Sequence, residues 1–340
     1  MKTILTFLLL ITTSVLTAQS FSDYKILHRH HLIGNAGWDY LAIQESTGRL
    51  FISHGNQVQV LEPVSGQLLA TITGLQGVHG IAFAEKFHKG FITNGKDSTV
   101  TVFNLGTFEK IAQVKVSGAN PDALLFDPYS DKVFVFNGRS ANATVIDAAT
   151  NNVVSTIPLD GKPEFGVSDG NGNIFLNIED KSEIAVIAAN TYKVIHYWPI
   201  NPGEEPSGLA IDLQNHRLFS VCDKMMVILD SDNGKVITSL TIGDRVDGVT
   251  FDPELKRAYS SNGEGTLSII REIDKDHFEV MGNLQTQAGA RTITIDKSTH
   301  HLFLSTAEYG ETPAKTDENP HPRPAILPGT FTVLEIGFDK

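Results

Sequence analysis

Along residues 120–159, apolar and polar positions alternate in short runs broken by turn chemistry. The runs are ALLF, KVFVF, ATVIDA and VVSTIPL, separated by Asp127-Pro128, Asn137-Gly138 and Asn151-Asn152. β-Branched and aromatic residues suit a pleated, packed surface. Asp-Pro, Asn-Gly and Asn-Asn favour turn dihedrals or positive φ. The pattern predicts four short antiparallel strands, a unit that cannot bury both of its faces alone.

The unit recurs. Its second strand reads RLFIS, KGFIT, KVFVF, NIFLN, RLFSV, RAYSS and HLFLS, and an apolar third run follows every copy. One position near the start of the first strand can be followed as Asp39, His79, Asp122, Glu164, Ser207, Asp247 and Arg291, at intervals of 40, 43, 42, 43, 40 and 44 residues. A period of about 40–45 residues with four strands per unit predicts propeller blades. The seventh copy stops after its third strand, while YKILHRHHLI at 24–33 reads as a fourth strand with no blade before it. Joining the two gives an all-β, seven-bladed β-propeller of four-stranded antiparallel blades, closed by the N-terminal strand and with few unpaired sheet edges. Residues 21–340 form this single domain, and 307–329 form a proline-rich insertion in blade 7.

Residues 1–20 carry one lysine, a short apolar run and small residues at the end, the pattern of a secretory signal peptide. The run is short for a membrane span, which needs about 20 apolar residues. The expected location is therefore extracytoplasmic, periplasmic or secreted. The single cysteine, Cys222, cannot make an internal disulfide and reads as a small buried residue. A net charge of −12 with scattered Lys and Arg argues against nucleic acid as a partner. No CxxC, GxGxxG, P-loop or HExxH is present, and no GxSxG stands at a strand–helix turn.

The repeat, at its best in FDPYSDKVFVFNGRSANATVIDAATNNVVSTIPL of blade 3 and FDPELKRAYSSNGEGTLSII of blade 6, resembles the YVTN-type repeats of the YncE-like seven-bladed β-propellers, which are exported bacterial proteins. The resemblance covers nearly all of the chain after residue 20. Blade 4 departs from it with DGNGN in place of the Asp-Pro turn, and blade 5 with the short hairpin CDKMM. It implies a scaffold with no single agreed activity and a proline-rich insertion like that of relatives. The DNA-binding label often given to the family does not suit so acidic a chain.

In a propeller, the fourth-to-first and second-to-third connections emerge on one face. That face is expected to carry Asp39, His79, Asp122, Glu164, Asp247 and Arg291 around the channel mouth, with His54, Asn94, Asn137, Arg139, Glu179 and Asn262 from the hairpins. At about 7 Å and an effective dielectric near 20, two carboxylates repel by about 2 kcal/mol. Asp39, Asp122, Glu164 and Asp247 are therefore neutralised by His79 and Arg291, or hold a divalent cation such as Ca²⁺. No cofactor is required, and a merely hydrated or ion-paired mouth is the plainer alternative. The insertion, with prolines at 313, 320, 322, 324 and 328, is stiff enough to act as a lid delivering Tyr309, His321 or Arg323. Its plainer alternative is a loose surface loop. His28 and His30 share one strand face at about 7 Å spacing but lie on an outer strand. His300 and His301, entering on the opposite face, are not expected to complete a site with His30 and His31.

Two functions follow. The first is an exported, monomeric scaffold that recognises a small molecule or protein at the channel mouth. The alternative is a metal-assisted enzyme of lactonase or lyase type, with His79 as base and Arg291 polarising a carbonyl. A WD40-like scaffold is disfavoured, because no Gly-His…Trp-Asp pair recurs.

Overall fold

Seven four-stranded antiparallel sheets follow one another along the chain and stand around a central channel, in a computed structural model that describes residues 21–34, 36–316 and 322–338. The segment read as a signal peptide lies outside the described residues. Blade 3 shows the unit: Pro121–Asp127, Lys132–Asn137, Asn142–Asp147 and Val153–Pro158, hydrogen-bonded in that order from the channel outward. Blade 7 is composite. Its strands are Ile293–Asp296, His301–Thr306, Thr332–Gly337 and, from the other end of the chain, Lys25–His31. The closing register runs from Lys25 opposite Gly337 to His31 opposite Thr332. Tyr24 ties the closure to blade 6 as well: its hydroxyl lies 2.7 Å from that of Tyr259 and accepts a hydrogen bond from Arg257 Nη1 at 2.5 Å.

The apolar alternation fills the spaces between blades. Among the described residues, seven hydrophobic clusters are each shared by two neighbouring blades, so the core is divided into thin layers between blades. The third residue of every second strand is an aromatic anchor: Phe51, Phe91, Phe134, Phe175, Phe219, Tyr259 and Phe303 are all at most 1% exposed. Full burial of such a side chain contributes about 1.5–3 kcal/mol. Cys222 is free and buried as expected, and burial pushes its thiol up to about 11.

The Asp-Pro turns do more than reverse the chain. Asp127 is fully buried and accepts from Ser130 N at 2.8 Å and from Ser168 Oγ of the next blade at 2.5 Å. Asp252 repeats this, holding its own turn and meeting His300 of blade 7 at 2.7 Å. One histidine expectation is corrected. His30 and His301 do meet, through Glu335, whose two carboxylate oxygens lie 2.8 Å from His30 Nε2 and 2.7 Å from His301 Nδ1. The two rings enter from opposite ends of the blade. Glu335 sits between them on the middle strand, paired with His28 on one side and Phe303 on the other, and reaches both.

Candidate functional site

Every mouth residue of blades 1 to 4 and 6 sits in a break of strand register. The breaks fall between Trp38 and Leu41, Val78 and Ile81, Pro121 and Leu124, Pro163 and Gly166, and Val246 and Gly248. Asp39, His79, Asp122, Glu164 and Asp247 lie inside them. A bulge bends its strand and re-aims a side chain. The backbone there is pinned by the preceding blade. Thr292 Oγ1 donates to the Asp39 carbonyl at 2.8 Å, Thr93 Oγ1 to that of Asp122 at 2.6 Å and Ser261 Oγ to that of Arg291 at 2.5 Å; Ser53 Oγ holds that of His79 in the same way. Blade 3 has Phe136 where Ser53, Thr93 and Ser261 stand, so Glu164 lacks this tether.

The side chains so aimed form three ionic groups in one ring. His79 Nδ1 lies 2.5 Å from Asp39 Oδ2 and 3.6 Å from Asp122 Oδ1. Arg291 lies 2.5 Å from Asp247 and 3.7 Å from the other oxygen of Asp39. Lys162 meets Glu164 at 2.6 Å and also pairs with Glu179. Five carboxylates thus face three cationic groups.

The imbalance is visible in the proton affinities. Burial first, then the Asp39 charge, pushes Asp122 up to about 6. Burial pushes Glu164 up to about 8, against the Lys162 ammonium it shares with Glu179 and with the Asp122 charge adding to the rise. Asp247 is raised by burial, against the Arg291 charge. Burial alone would lower His79, but the hydrogen bond with Asp39 and the charge of Asp122 hold it above the ordinary imidazole value. Asp39, His79 and Asp122 each offer a donor atom, all within 4.8 Å of one another, the one group among the described residues with the spacing of a metal site.

A stopper lies beneath the ring. Tyr40 of blade 1 and Phe165 of blade 4 meet across the channel with ring centroids 5.4 Å apart. Burial, then the charges of Asp122, Asp39, Glu164 and Asp247, raise the Tyr40 phenol well above its ordinary value, so it stays protonated.

The hairpin residues divide. Glu179 joins the mouth through Lys162, and Arg139 is exposed at the rim. His54, Asn94, Asn137 and Asn262 do not join: they are buried at the ends of second strands and turned into their own sheets. Asn94 Nδ2 donates to Thr101 at 2.9 Å, Asn137 Nδ2 to Thr144 at 3.0 Å and Asn262 Nδ2 to Ser268 at 3.0 Å. His54 lies 2.9 Å from Gln59 Oε1 and stacks on Phe331 at 3.9 Å, and burial lowers its pKa. These four brace one strand to the next.

Lys162, Tyr40 and Phe165 are mouth and channel residues that sequence reasoning missed. A signal existed for Lys162, since it lies two residues before Glu164 at the same mouth-side start of the first strand of blade 4.

The insertion begins as a narrow ladder, with Tyr309 bridged to Ile326, Gly310 N donating to Ala325 O at 2.8 Å and Leu327 N to Glu308 O at 2.9 Å. Tyr309 leans on Trp38 at 6.1 Å, and the charges of Arg291 and Arg245 partly offset the rise that burial gives its phenol. The ladder thus stands at the rim beside Arg291. Arg323 is exposed, and His321 lies outside the described residues.

No family model and no curated protein matches the chain. Among solved structures, the fold is similar to a chain of hydrazine synthase from Kuenenia stuttgartiensis, with a TM-score of 0.70 and 14% identity over 81% of this chain and 94% of that one. It is also similar to a chain of a mitotic checkpoint complex, with a TM-score of 0.74 and 10% identity over 99% of both chains. At such identities the likeness is one of fold: a seven-bladed β-propeller. Among the described residues no helix is long and apolar enough to cross a membrane.

Proposed function

We propose that the protein is an exported, monomeric ligand-binding propeller of the YncE-like kind, whose channel mouth accepts a positively charged group, a divalent cation being the simplest occupant. The observation that carries this reading is the Asp39–His79–Asp122 triangle, with donor atoms all within 4.8 Å of one another. It lies in a ring where carboxylates outnumber cationic groups. Burial first, and the neighbouring carboxylate charges after it, raise Asp122 and Glu164, and a cation seated there offsets both costs of ionising them. An imidazole with two carboxylates suits Zn²⁺ or Mn²⁺ better than the oxygen-only preference of Ca²⁺. A positively charged group on a small molecule or protein would meet the same field. The acidic mouth and the net charge of −12 speak against nucleic acid. Export is supported by the composition of residues 1–20, and the YncE-like placement by the repeat pattern.

The test is the melting temperature of purified protein with Zn²⁺, Mn²⁺ or Ca²⁺ and after chelation, in the wild type and in Asp39→Asn/Asp122→Asn. Occupancy at a hundred times Kd stabilises by about 2.7 kcal/mol. A shift in the wild type that the double variant lacks supports the site; equal shifts, or none, refute it.

A second reading is favoured by one contact. Asp39 holds His79 through Nδ1, which orients the imidazole with Nε2 on the side of Gly95, and Arg291 lies beyond Asp39. That geometry suits a general base beside a group that polarises a carbonyl, as in a lactonase or lyase. Turnover of a lactone by the wild type and not by His79→Gln would select it.

A further inference from the structure

The channel does not end at the stopper. Below Tyr40 and Phe165 it widens into a cavity of about 490 Å³ that opens on the face opposite the charged mouth, among the first-to-second strand turns at Leu213, Pro253 and Lys297. Its floor is the Tyr40–Phe165 pair, and its walls include Phe83, Leu124, Ile211 and Phe251. Two charged side chains line it. Lys297 is at the rim, paired with Glu45 at 2.8 Å, and Asp212 is buried with one oxygen on the backbone N–H of Gln214 at 2.9 Å. Leu213, 58% exposed, overhangs the opening.

We propose that this funnel is a second binding site, for an uncharged, flat aromatic molecule or the aromatic end of a larger one. Three features fix the ligand class. The volume falls within the roughly 300–1,000 Å³ typical of small-molecule sites. The floor and two walls are aromatic rings, which hold another ring by edge and offset contacts at centroid distances of about 4.5–7 Å. The lining is otherwise uncharged: Lys297 is held by Glu45 at the rim, and Asp212 keeps one buried oxygen, Oδ2, without a hydrogen-bond partner, so a neutral ring with an N–H or O–H donor suits the funnel and an anion does not. The stopper is two-sided: the Tyr40 phenol lies under the carboxylates of the mouth while its ring closes the funnel. The two sites are therefore separate, and this one does not rest on the cation reading of the mouth.

The test uses N-phenyl-1-naphthylamine, an uncharged probe whose fluorescence rises in apolar surroundings. The expected result is saturable enhancement with one probe per chain, displaced by naphthalene. Val167→Trp and Thr250→Trp, each filling the funnel from a half-buried wall position, weaken binding at least tenfold; Asp39→Asn/Asp122→Asn leaves it unchanged. Circular dichroism confirms the fold of each variant, and if one fails to fold the other decides. Absence of saturable binding, failure of naphthalene to displace the probe, or undiminished binding in a folded, filled variant overturns the proposal.

Discussion

Two rings of polar residues ornament the same face of this propeller, and they behave in opposite ways. The inner ring takes Asp39, His79, Asp122, Glu164 and Asp247 from bulged starts of first strands and Arg291 from just before the first strand of blade 7, and turns toward the channel as linked ion pairs. The outer set, His54, Asn94, Asn137 and Asn262, comes from the ends of second strands and is buried, the three amides bonding to the next strand of their own blade and His54 also stacking on Phe331 of blade 7. Both sets recur with the blade period. The difference lies in the local backbone: a bulge re-aims a side chain toward solvent, whereas a regular strand end sends an amide across to the neighbouring strand. Charges at the first position are left crowded, whereas amides at the second each donate to a hydroxyl of the neighbouring strand.

The comparison breaks most visibly at the blade interiors. Phe134→Ala removes an aromatic anchor and should cost about 3–5 kcal/mol in denaturant unfolding, the usual range for such truncations. Asn262→Ala should cost about 1–3 kcal/mol, because its partners Thr266 and Ser268 are left with a lost donor in a buried place. Asp39→Asn/Asp122→Asn, by contrast, should change stability by less than about 1 kcal/mol, since it removes repulsion along with an ion pair. A brace variant as stable as the wild type, or a mouth variant that unfolds, would erase the distinction between the rings.

Acidity sharpens the same contrast. Asp122 at about 6 and Glu164 at about 8 bind protons more tightly in the folded ring than in the unfolded chain. Glu272, pushed to about 7 by burial and then by Asp212 across the blade 5–6 junction, does the same. Their contribution to stability is complete below the ordinary carboxylate range of about 4 and is lost as pH rises through 6 to 8. Glu335 has the opposite sign. Burial would raise it, but hydrogen bonds with His30 and His301 hold it down at about 2, so its contribution is lost as pH falls from about 4 toward 2. Without added cation, the melting temperature should therefore be higher at pH 5 than at pH 8, and Glu164→Gln with Glu272→Gln should flatten that slope. An unchanged slope in the double variant would separate these carboxyls from the effect. The smallest change is expected from deleting 312–324. The ladder at Tyr309 and Ile326 remains, so stability should hold while access to the mouth, read from the rate of cation binding, increases. An unchanged rate would remove the insertion from the site.

The blades were legible because their signals are local: two-residue alternation, and Asp-Pro or Asn-Gly within each unit. The closure was legible from arithmetic, a strand missing at one end and spare at the other. Period also brought the charged mouth residues together on paper. It could not separate Asn137 from Asp122, because position along a strand does not tell which way a side chain turns once a bulge intervenes. The Tyr40–Phe165 stopper joins blades 1 and 4 across the ring, and no local pattern states a contact of that kind. The His30–Glu335–His301 bridge was missed for a related reason, since the carboxylate that links the two histidines belongs to the strand between them.

The most direct test of the charged mouth is the proton count on cation binding, measured by titration calorimetry near pH 6.5 in two buffers of different ionisation enthalpy. Binding at the Asp39–His79–Asp122 triangle must displace the proton that His79 shares with Asp39, so release on the order of one proton per Mn²⁺ or Zn²⁺ is predicted, and it should vanish with binding in Asp39→Asn/Asp122→Asn. Binding with no proton release, or release that persists in the double variant, would contradict the account.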